Sequence, residues 1–290
     1  MKLLIACTNV NGLGGSELYH YELCREIQLN HKDIDLTLLT LRPIKYTDQV
    51  RKKLTEFGVK QIDLRSLDRN TYDIILTSQP EVNQYILRTY NAPIVSIIHS
   101  EIRSEDPIIN NKIKHYIAVR KTIVEHLNIK YKIPLDKISL IYNPIDTSRY
   151  NTNDIVKFEK TTGLYIGDAT DYLRLPSIKH MISECIKENW DLYIMSKSVP
   201  LENCFLHSNI INVPPVWNNE QLLKKVHFTA GILLGRTTIE GYHCDIPGFI
   251  YNIDTYGNIK SITSDHPENI VSLSDSKYVT QTIIKILNEN

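Results

Sequence analysis

The stretch GILLGRTTIEGYHCDIP, at residues 231–247, decides the fold. Its short apolar run stops at Gly235 and Arg236, and a helical pattern opens at Thr237 or Thr238. A strand that ends in a glycine loop before a helix is typical of α/β folds, in which ligands bind at the carboxyl ends of parallel strands. The stretch therefore predicts a ligand site at this loop.

The residue types of the loop suit a phosphate and a sugar. The helix start at Thr237 or Thr238 offers N–H groups and a positive dipole end, and either threonine can cap it. Gly235 lets a ligand approach the backbone, and Arg236 can give charge-assisted hydrogen bonds to phosphate oxygens. Glu240 would repel a phosphate, so it is expected to accept hydrogen bonds from sugar hydroxyls. An ordinary strand, loop and helix with a surface glutamate explains the stretch equally well.

The composition is that of an ordinary globular protein. The length of 290 residues favours two α/β domains. The zero formal net charge and the 42% of hydrophobic residues give no sign of a dedicated nucleic-acid-binding protein. Its five cysteines are scattered without a CxxC pair, so neither a disulfide framework nor a zinc site is indicated. No signal-peptide pattern and no apolar run of about 18 residues is found, so we expect a cytoplasmic protein without a transmembrane segment.

The first half of the chain alternates strand and helix patterns. Residues 2–7 predict a buried strand, followed by a loop with Gly14 and Gly15 and by a helix that Ser16 is placed to cap. Strands separated by helices of such lengths predict a doubly wound parallel sheet. Gly14, Gly15 and His99 each follow a strand end, so they are expected to face the ligand crevice of that sheet. A structural histidine that caps its strand is the alternative for His99.

A second α/β domain follows a polar stretch. Residues 146–162 predict a linker, after which the alternation of strands and helices restarts. The chain is therefore expected to divide into domains at 1–147 and 148–290, the second ending in a helix at 274–287 that packs back towards the first domain.

Four motifs, in this order, resemble the GT-B glycosyltransferases of family 4. GGSE at 14–17 is similar to the GG(A/S)E loop of the family, IVSIIHS at 94–100 to its strand ending in His, and KISLIYNPIDTSRY at 137–150 to the stretch before its linker. Glu240 and Pro247 stand where the family has the second Glu of E-x7-E and a later proline. The resemblance covers nearly the whole chain and rests on the order and spacing of the motifs.

The resemblance implies two facing Rossmann-like domains with a cleft between them, the first on the acceptor side and the second binding a nucleotide-sugar donor. It implies transfer of a hexosyl or pentosyl group from a UDP- or GDP-sugar, with retention and with no metal or other cofactor besides the donor as co-substrate. Catalytic roles fall on His99 and Arg236. Donor-binding roles fall on Gly14, Gly15, Gly167, Arg174, Gly235, Arg236, Thr237, Thr238 and Glu240.

The chain departs from the family pattern at two places. Ile232 stands where the first Glu of E-x7-E usually faces the transferred sugar, so sugar recognition must differ. Asp168 follows Gly167 where the family has an arginine that neutralises the diphosphate. Arg174 or Lys179 is the expected substitute, although both could equally be surface charges of the next helix.

Three other functions stay open. The same fold hosts nucleotide-sugar epimerases. A non-catalytic sugar-nucleotide or partner-binding protein would explain the missing first Glu. A bacteriophage-type glycosyltransferase acting on modified DNA bases would fit the Ile-, Asn-, Lys- and Tyr-rich composition, but zero net charge gives it no support. The acceptor is accordingly expected to be a glycan, a lipid-linked sugar or a modified DNA base.

Overall fold

The computed structural model describes residues 1–10, 14–43, 49–66, 71–102, 105–150, 156–253, 259–261 and 268–290. The chain divides into a first unit of Met1–Pro144 with Leu273–Asn290 and a second unit of Ile145–Ser272. Each unit is built on its own parallel sheet, as the alternation of the sequence predicts. The sequence-based boundary after residue 147 lies close to this division. The C-terminal helix is grouped with the first unit, towards which it was expected to pack.

Strands and helices alternate along the first unit. Its elements are β1 (Lys2–Cys7), α1 (Gly15–Asn30), β2 (Asp35–Thr40), α2 (Gln49–Glu56), β3 (Lys60–Asp63), β4 (Ile74–Ser78), α3 (Pro80–Thr89), β5 (Ile94–Ile98), β6 (Ile113–Ala118), α4 (Lys121–Tyr131) and β7 (Ile138–Leu140). The strands pair in parallel in the order β3-β2-β1-β4-β5-β6-β7. β4 and β5 are buried along their whole length, which is typical of parallel strands that helices cover on both faces.

The second unit repeats this construction on a smaller scale. Its elements are β8 (Thr162–Ile166), α5 (Leu175–Lys187), β9 (Asp191–Met195), β10 (Ile210–Val213), α6 (Glu220–Leu223), β11 (Phe228–Gly231), α7 (Arg236–His243), β12 (Gly248–Ile250), β13 (Asn252–Ile253), β14 (Ile259–Ser261) and α8 (Glu268–Ser274). The parallel sheet has the order β10-β9-β8-β11-β12, and β13 pairs with β14 in antiparallel fashion.

The last helix, α9 (Ser276–Glu289), packs against α1 in the first unit. Asp275 caps it by accepting hydrogen bonds from the backbone N–H groups of Lys277 and Tyr278. Its buried side chains include Val279 and Ile283 at helical spacing, so one apolar face holds the helix in place. Within the described ranges, no helix combines the length and apolarity needed to cross a membrane.

An aromatic cluster fills the core of the second unit. The ring of Phe228 on β11 packs against Trp190 and Phe249, with ring centroids 5.4 and 5.2 Å away. Gly163 on β8 is the register partner of Phe228, and a Cβ built on Gly163 would overlap the phenyl ring. Glycine is therefore required at this position to let the ring lie across β8.

We expect Gly163→Ala to lower the free energy of unfolding of the second unit by about 1–3 kcal/mol, the usual cost of overpacking a filled core. The chain has two tryptophans, Trp190 and Trp217, and both lie in the second unit, so urea unfolding followed by tryptophan fluorescence reports on that unit. Gly15→Ala, at an exposed position in the first unit, is the matched control. Equal unfolding midpoints for the two variants would contradict the overlap.

Candidate functional site

The strand order of the second unit reverses between β8 and β11. The chain runs from β8 outwards to β9 and β10, and then returns to place β11 on the other side of β8. Because the two strands are parallel, the loops after them leave from the same edge of the sheet. Ligands of open α/β sheets bind at such a reversal. Two loops therefore form the candidate site. One follows β8 and begins at Gly167, and the other follows β11 and ends at Gly235.

The helix after β11 begins one or two residues earlier than the predicted start at Thr237 or Thr238. Gly235 is the N-cap in an extended conformation, and Arg236 is the first helical residue. The predicted threonine cap is therefore wrong, since Thr237 and Thr238 both lie within the first turn. Thr238 packs instead, because its methyl group occupies the space that a Cβ on Gly248 would need. With a glycine cap, no side chain of the described residues caps the start of α7.

Arg236 and Glu240 form a buried ion pair on α7. The Nε atom of Arg236 lies 2.7 Å from Oε1 of Glu240, and the two side chains are 5% and 2% exposed. The other carboxylate oxygen, Oε2, accepts a hydrogen bond of 3.1 Å from Nδ2 of Asn219. Charged groups are buried in proteins when they are paired and hydrogen-bonded. The structure thus joins the residue predicted to bind phosphate to the residue predicted to bind the sugar hydroxyls.

Tyr150 lies beside this ion pair in the 3-10 helix Thr147–Tyr150. Burial, and next the negative charge of Glu240, raises the pKa of the Tyr150 hydroxyl well above its usual value. The hydroxyl oxygen is buried and has no hydrogen-bond partner of good geometry among the described residues. The sequence pattern predicts no role in the site for Tyr150 or Asn219. The position of Tyr150 at the end of the motif at 137–150 is the one feature that could have drawn attention to it.

The loop after β8 brings Gly167 and Arg174 together. A Cβ on Gly167 would lie 2.7 Å from the hydroxyl oxygen of Tyr165 and 3.5 Å from Nη1 of Arg174, so only glycine keeps this space open. Nε of Arg174 is held by Oδ2 of Asp171 at 3.0 Å. Of the two predicted substitutes for the family arginine, Arg174 therefore stands over the loop. Lys179 is paired with Glu202 at 2.6 Å.

The start of α1 in the first unit also differs from the prediction. Gly14 is the N-cap of α1, and the helix begins at Gly15, so Ser16 lies within the first turn and does not cap it. The backbone N–H of Gly14 donates to Oε2 of Glu17 at 2.8 Å. Gly14 and Gly15 are exposed. Binding of the donor by these two glycines stays a prediction. The backbone N–H of Gly14 already donates a hydrogen bond to Glu17.

His99 follows β5 and packs among other rings. Its ring lies edge-on to Tyr19 and His20, with centroids 5.2 and 5.9 Å away, and its Nε2 atom is buried without a hydrogen-bond partner among the described residues. Its carbonyl oxygen accepts from Nη1 of Arg120 at 3.0 Å. Burial, with smaller contributions from His20 and Arg120, lowers the pKa of His99 to about 3. His99 is therefore a neutral group at pH 7.

His20 is a fully buried histidine, which the sequence did not single out. Its Nδ1 atom lies 2.6 Å from the carbonyl oxygen of Ser16, and its Nε2 atom lies 3.1 Å from Oγ of Ser78. Since a carbonyl can only accept, we assign the ring proton to Nδ1 and the Ser78 hydroxyl as donor to Nε2. Burial lowers the pKa of His20 to about 4. Its helical spacing gave no sign that distinguished it from a core residue.

Several solved structures share this fold at low sequence identity. The Anabaena protein HepE in complex with UDP and glucose gives a TM-score of 0.73 at 12% identity, with 100% of each chain covered. The lipopolysaccharide outer core galactosyltransferase WaaB, in its apo form, gives 0.67 at 15% identity, again over 100% of each chain. The UDP-GlcNAc 2-epimerase from Neisseria meningitidis bound to UDP-GlcNAc gives 0.56 at 12% identity and 100% of each chain. No family model and no curated protein matches the sequence.

These similarities confirm the predicted fold. The chain has the α/β fold with two parallel sheets that GT-B glycosyltransferases have, and this fold extends over its full length. Membership of family 4, the site residues and the metal-free reaction stay predictions.

His20 and His99 predict that the first unit loses stability in mild acid. Both are neutral in the folded unit, with pKa values of about 4 for His20 and about 3 for His99, whereas in the unfolded chain each has a pKa of about 6.5. Below that pH the unfolded state binds more protons, so stability is full above pH 6.5 and falls towards pH 4 by up to about 1.4 kcal/mol per pH unit for each histidine.

Urea unfolding of the whole chain between pH 4.5 and 7.5, followed by hydrogen exchange of the α1 amides, measures this slope for the first unit. His20→Gln should reduce the slope by about half. Leu29→Gln, at an exposed position near the end of α1, changes no titratable group and is the control, so it should leave the slope unchanged. A wild-type slope that His20→Gln does not alter would contradict the assignment.

Proposed function

We propose that the protein is a glycosyltransferase that moves a sugar from a UDP- or GDP-sugar to an acceptor hydroxyl. The observation that carries this proposal is the buried pair of Arg236 and Glu240, on the helix that follows the strand reversal of the second unit. The solved proteins of this fold include glycosyltransferases and proteins bound to UDP or to UDP-sugars. We propose that this chain also binds a nucleotide sugar, because both the chemistry of the site and the fold suit such a ligand.

Glu240 is proposed to bind the ribose of the donor. A carboxylate has about four lone-pair positions, and the contacts with Arg236 and Asn219 use one on each oxygen. The hydroxyl of Tyr150 beside the carboxylate can take a third position, and the position that remains can accept a hydrogen bond from a ribose hydroxyl. Arg236 and Asn219 would then fix the orientation of the carboxylate before the donor arrives, which lowers the entropy lost on binding.

The start of α7 is proposed to hold the diphosphate. Its first N–H groups and its dipole favour an anion, and the glycine cap at Gly235 leaves no side chain between them and a ligand. The guanidinium of Arg174 stands over the neighbouring loop at Gly167 and adds a second positive charge. We assign Thr237 and Thr238 a backbone role here, through their N–H groups.

The proposed reaction builds negative charge on the leaving phosphate, beside these groups. The bond between the anomeric carbon and the phosphate oxygen breaks and its electron pair stays on the nucleoside diphosphate. The acceptor oxygen bonds to the carbon, and its proton passes to the departing phosphate oxygen. Fixed dipoles and guanidinium groups aimed at the leaving phosphate lower the barrier of such a step. We propose that they do so without a metal ion and with retention, and that neutral His99 hydrogen-bonds a hydroxyl of the transferred sugar.

We expect Glu240→Gln to weaken binding of both UDP and uridine by about 5- to 150-fold, or about 1–3 kcal/mol, through loss of a charge-assisted hydrogen bond. Isothermal titration of the full chain measures both ligands. Glutamine is preferred to alanine because removal of the side chain would leave the buried guanidinium of Arg236 unpaired. Glu188→Gln, on the exposed surface of the same unit, is the control and should bind UDP like the wild type. Unchanged binding in Glu240→Gln would remove the ribose assignment.

Arg236→Lys should weaken UDP binding more than uridine binding, because the guanidinium is assigned to the phosphates. Turnover should fall further than UDP affinity, since the charge that Arg236 meets grows in the transition state. Release of UDP from UDP-sugars, with product analysis by mass spectrometry, measures turnover and separates transfer or hydrolysis from epimerisation of the intact donor. An epimerised donor as the sole product would replace the proposal by the epimerase alternative.

A further inference from the structure

An arginine stands at the N-cap of α4, where its chemistry does not suit the helix. Arg120 follows β6 in an extended conformation, and α4 begins at Lys121. Good N-caps accept hydrogen bonds from the first N–H groups of the helix, but a guanidinium has only donors. Its positive charge is also opposed by the dipole of the helix start. Residues that break a local rule are expected where function requires them, so Arg120 is a candidate for a role outside its own helix.

The side chain of Arg120 turns to the loop that follows β5. β5 and β6 are parallel neighbours, so the residues after them lie at the same edge of the sheet. Nη1 of Arg120 donates to the carbonyl oxygen of His99 at 3.0 Å. Nε, at 3.1 Å, and Nη2 donate to the two carboxylate oxygens of Glu101. One rigid, planar group therefore holds the loop at two positions, on either side of Ser100.

Burial and charge make this contact firm. The side chain of Arg120 is 7% exposed and that of Glu101 is 29% exposed. A bidentate hydrogen bond between such charged groups is among the strongest side-chain contacts. The hydroxyl of Thr122, in the first turn of α4, donates to the same carboxylate. Burial alone would raise the pKa of Glu101, but Arg120 and Thr122 hold that pKa below its ordinary value, so the carboxylate is ionised at neutral pH.

The imidazole of His99 is held separately from its main chain. Tyr19 and His20 on α1 meet the ring edge-on, and its Nε2 atom is buried. His99 as a whole is only partly buried, so Nδ1 is the ring nitrogen that a ligand can reach without a rearrangement. Two carbon atoms, Cβ and Cγ, separate Nδ1 from the Cα atom. A shift of the main chain therefore moves Nδ1 directly.

We propose that Arg120 is a positioning residue for His99. It holds the main chain of His99, with Glu101 as a second anchor, so that Nδ1 of the imidazole meets a hydroxyl of the transferred sugar. This inference rests on the proposed glycosyltransferase function and on the contact of His99 with the sugar. The effect of Arg120 on turnover passes through His99. A displacement of about 1 Å at such a contact can lower a rate about 100-fold, so the effect is large enough to measure.

The test measures turnover of the full chain. The donors are UDP-glucose, UDP-galactose, UDP-N-acetylglucosamine and GDP-mannose, and release of UDP or GDP gives kcat and KM. For the donor that the wild type uses fastest, Arg120→Gln should lower kcat at least tenfold and change KM less than twofold. Lys121→Gln removes the same charge from the next, exposed residue and is the matched control. It should keep the kcat of the wild type.

A double-mutant cycle separates positioning from a merely structural role. If Arg120 acts through His99, the double variant His99→Gln/Arg120→Gln should be at most twofold slower than His99→Gln alone. Losses that multiply would overturn the inference, because they show an effect independent of His99. Glu101→Gln is the second variant, in case Arg120→Gln does not fold, since its amide oxygen can still accept from Arg120. It should lower kcat at least threefold, again without further loss in the His99→Gln background.

Histidine labelled with ¹⁵N gives a readout that does not depend on turnover. The ring resonances of His99, assigned with His99→Gln, should shift in Arg120→Gln and stay in place in Lys121→Gln. Unchanged resonances in Arg120→Gln, or a kcat equal to that of Lys121→Gln, would overturn this inference and leave the proposed function intact. A wild type that releases no UDP or GDP from any of the donors would overturn the proposed function and this inference together.

Discussion

Parallel strand pairing is the constraint on which the candidate site and the contact of Arg120 with His99 both depend. All strands of such a sheet point the same way, so every loop that follows a strand leaves from one edge. Where the strand order reverses, two neighbouring loops run to opposite faces and leave a space between them. In the second unit this space lies between β8 and β11, and in the first between β1 and β4. The buried ion pair of Arg236 and Glu240 stands beside the first of these spaces. In the first unit the same rule puts the loops after β5 and β6 side by side, where Arg120 donates to the carbonyl oxygen of His99.

The ion pair of Arg236 and Glu240 ties two binding functions to one short helix. The partners are four positions apart in the sequence, so they lie one turn apart on the same face of α7. Removal of either partner would leave the other buried and uncompensated, which typically costs about 3–5 kcal/mol. Substitution at one position therefore disturbs the other, and the proposed nucleoside and phosphate contacts are expected to be energetically coupled. Asn219 extends this coupling to the segment before α6.

The sequence predicted the architecture better than the contacts of the site. Apolar runs and helical spacing predict the order of strands and helices because they are local patterns. The start of α7 was misplaced because glycine and threonine can both cap a helix, and the packing of Thr238 against Gly248 decides between them. The partners of Glu240 could not be found locally, since Asn219 lies 21 residues away in the chain.

The place of α9 has a consequence for biosynthesis. This helix packs against α1, yet the whole second unit is translated between the two. The apolar face of α1 that α9 covers therefore stays uncovered during translation until the second unit and α9 have emerged from the ribosome. During that interval the nascent first unit exposes a hydrophobic surface of the kind that chaperones bind. The second unit can therefore complete its fold before the first, although the first unit is translated earlier.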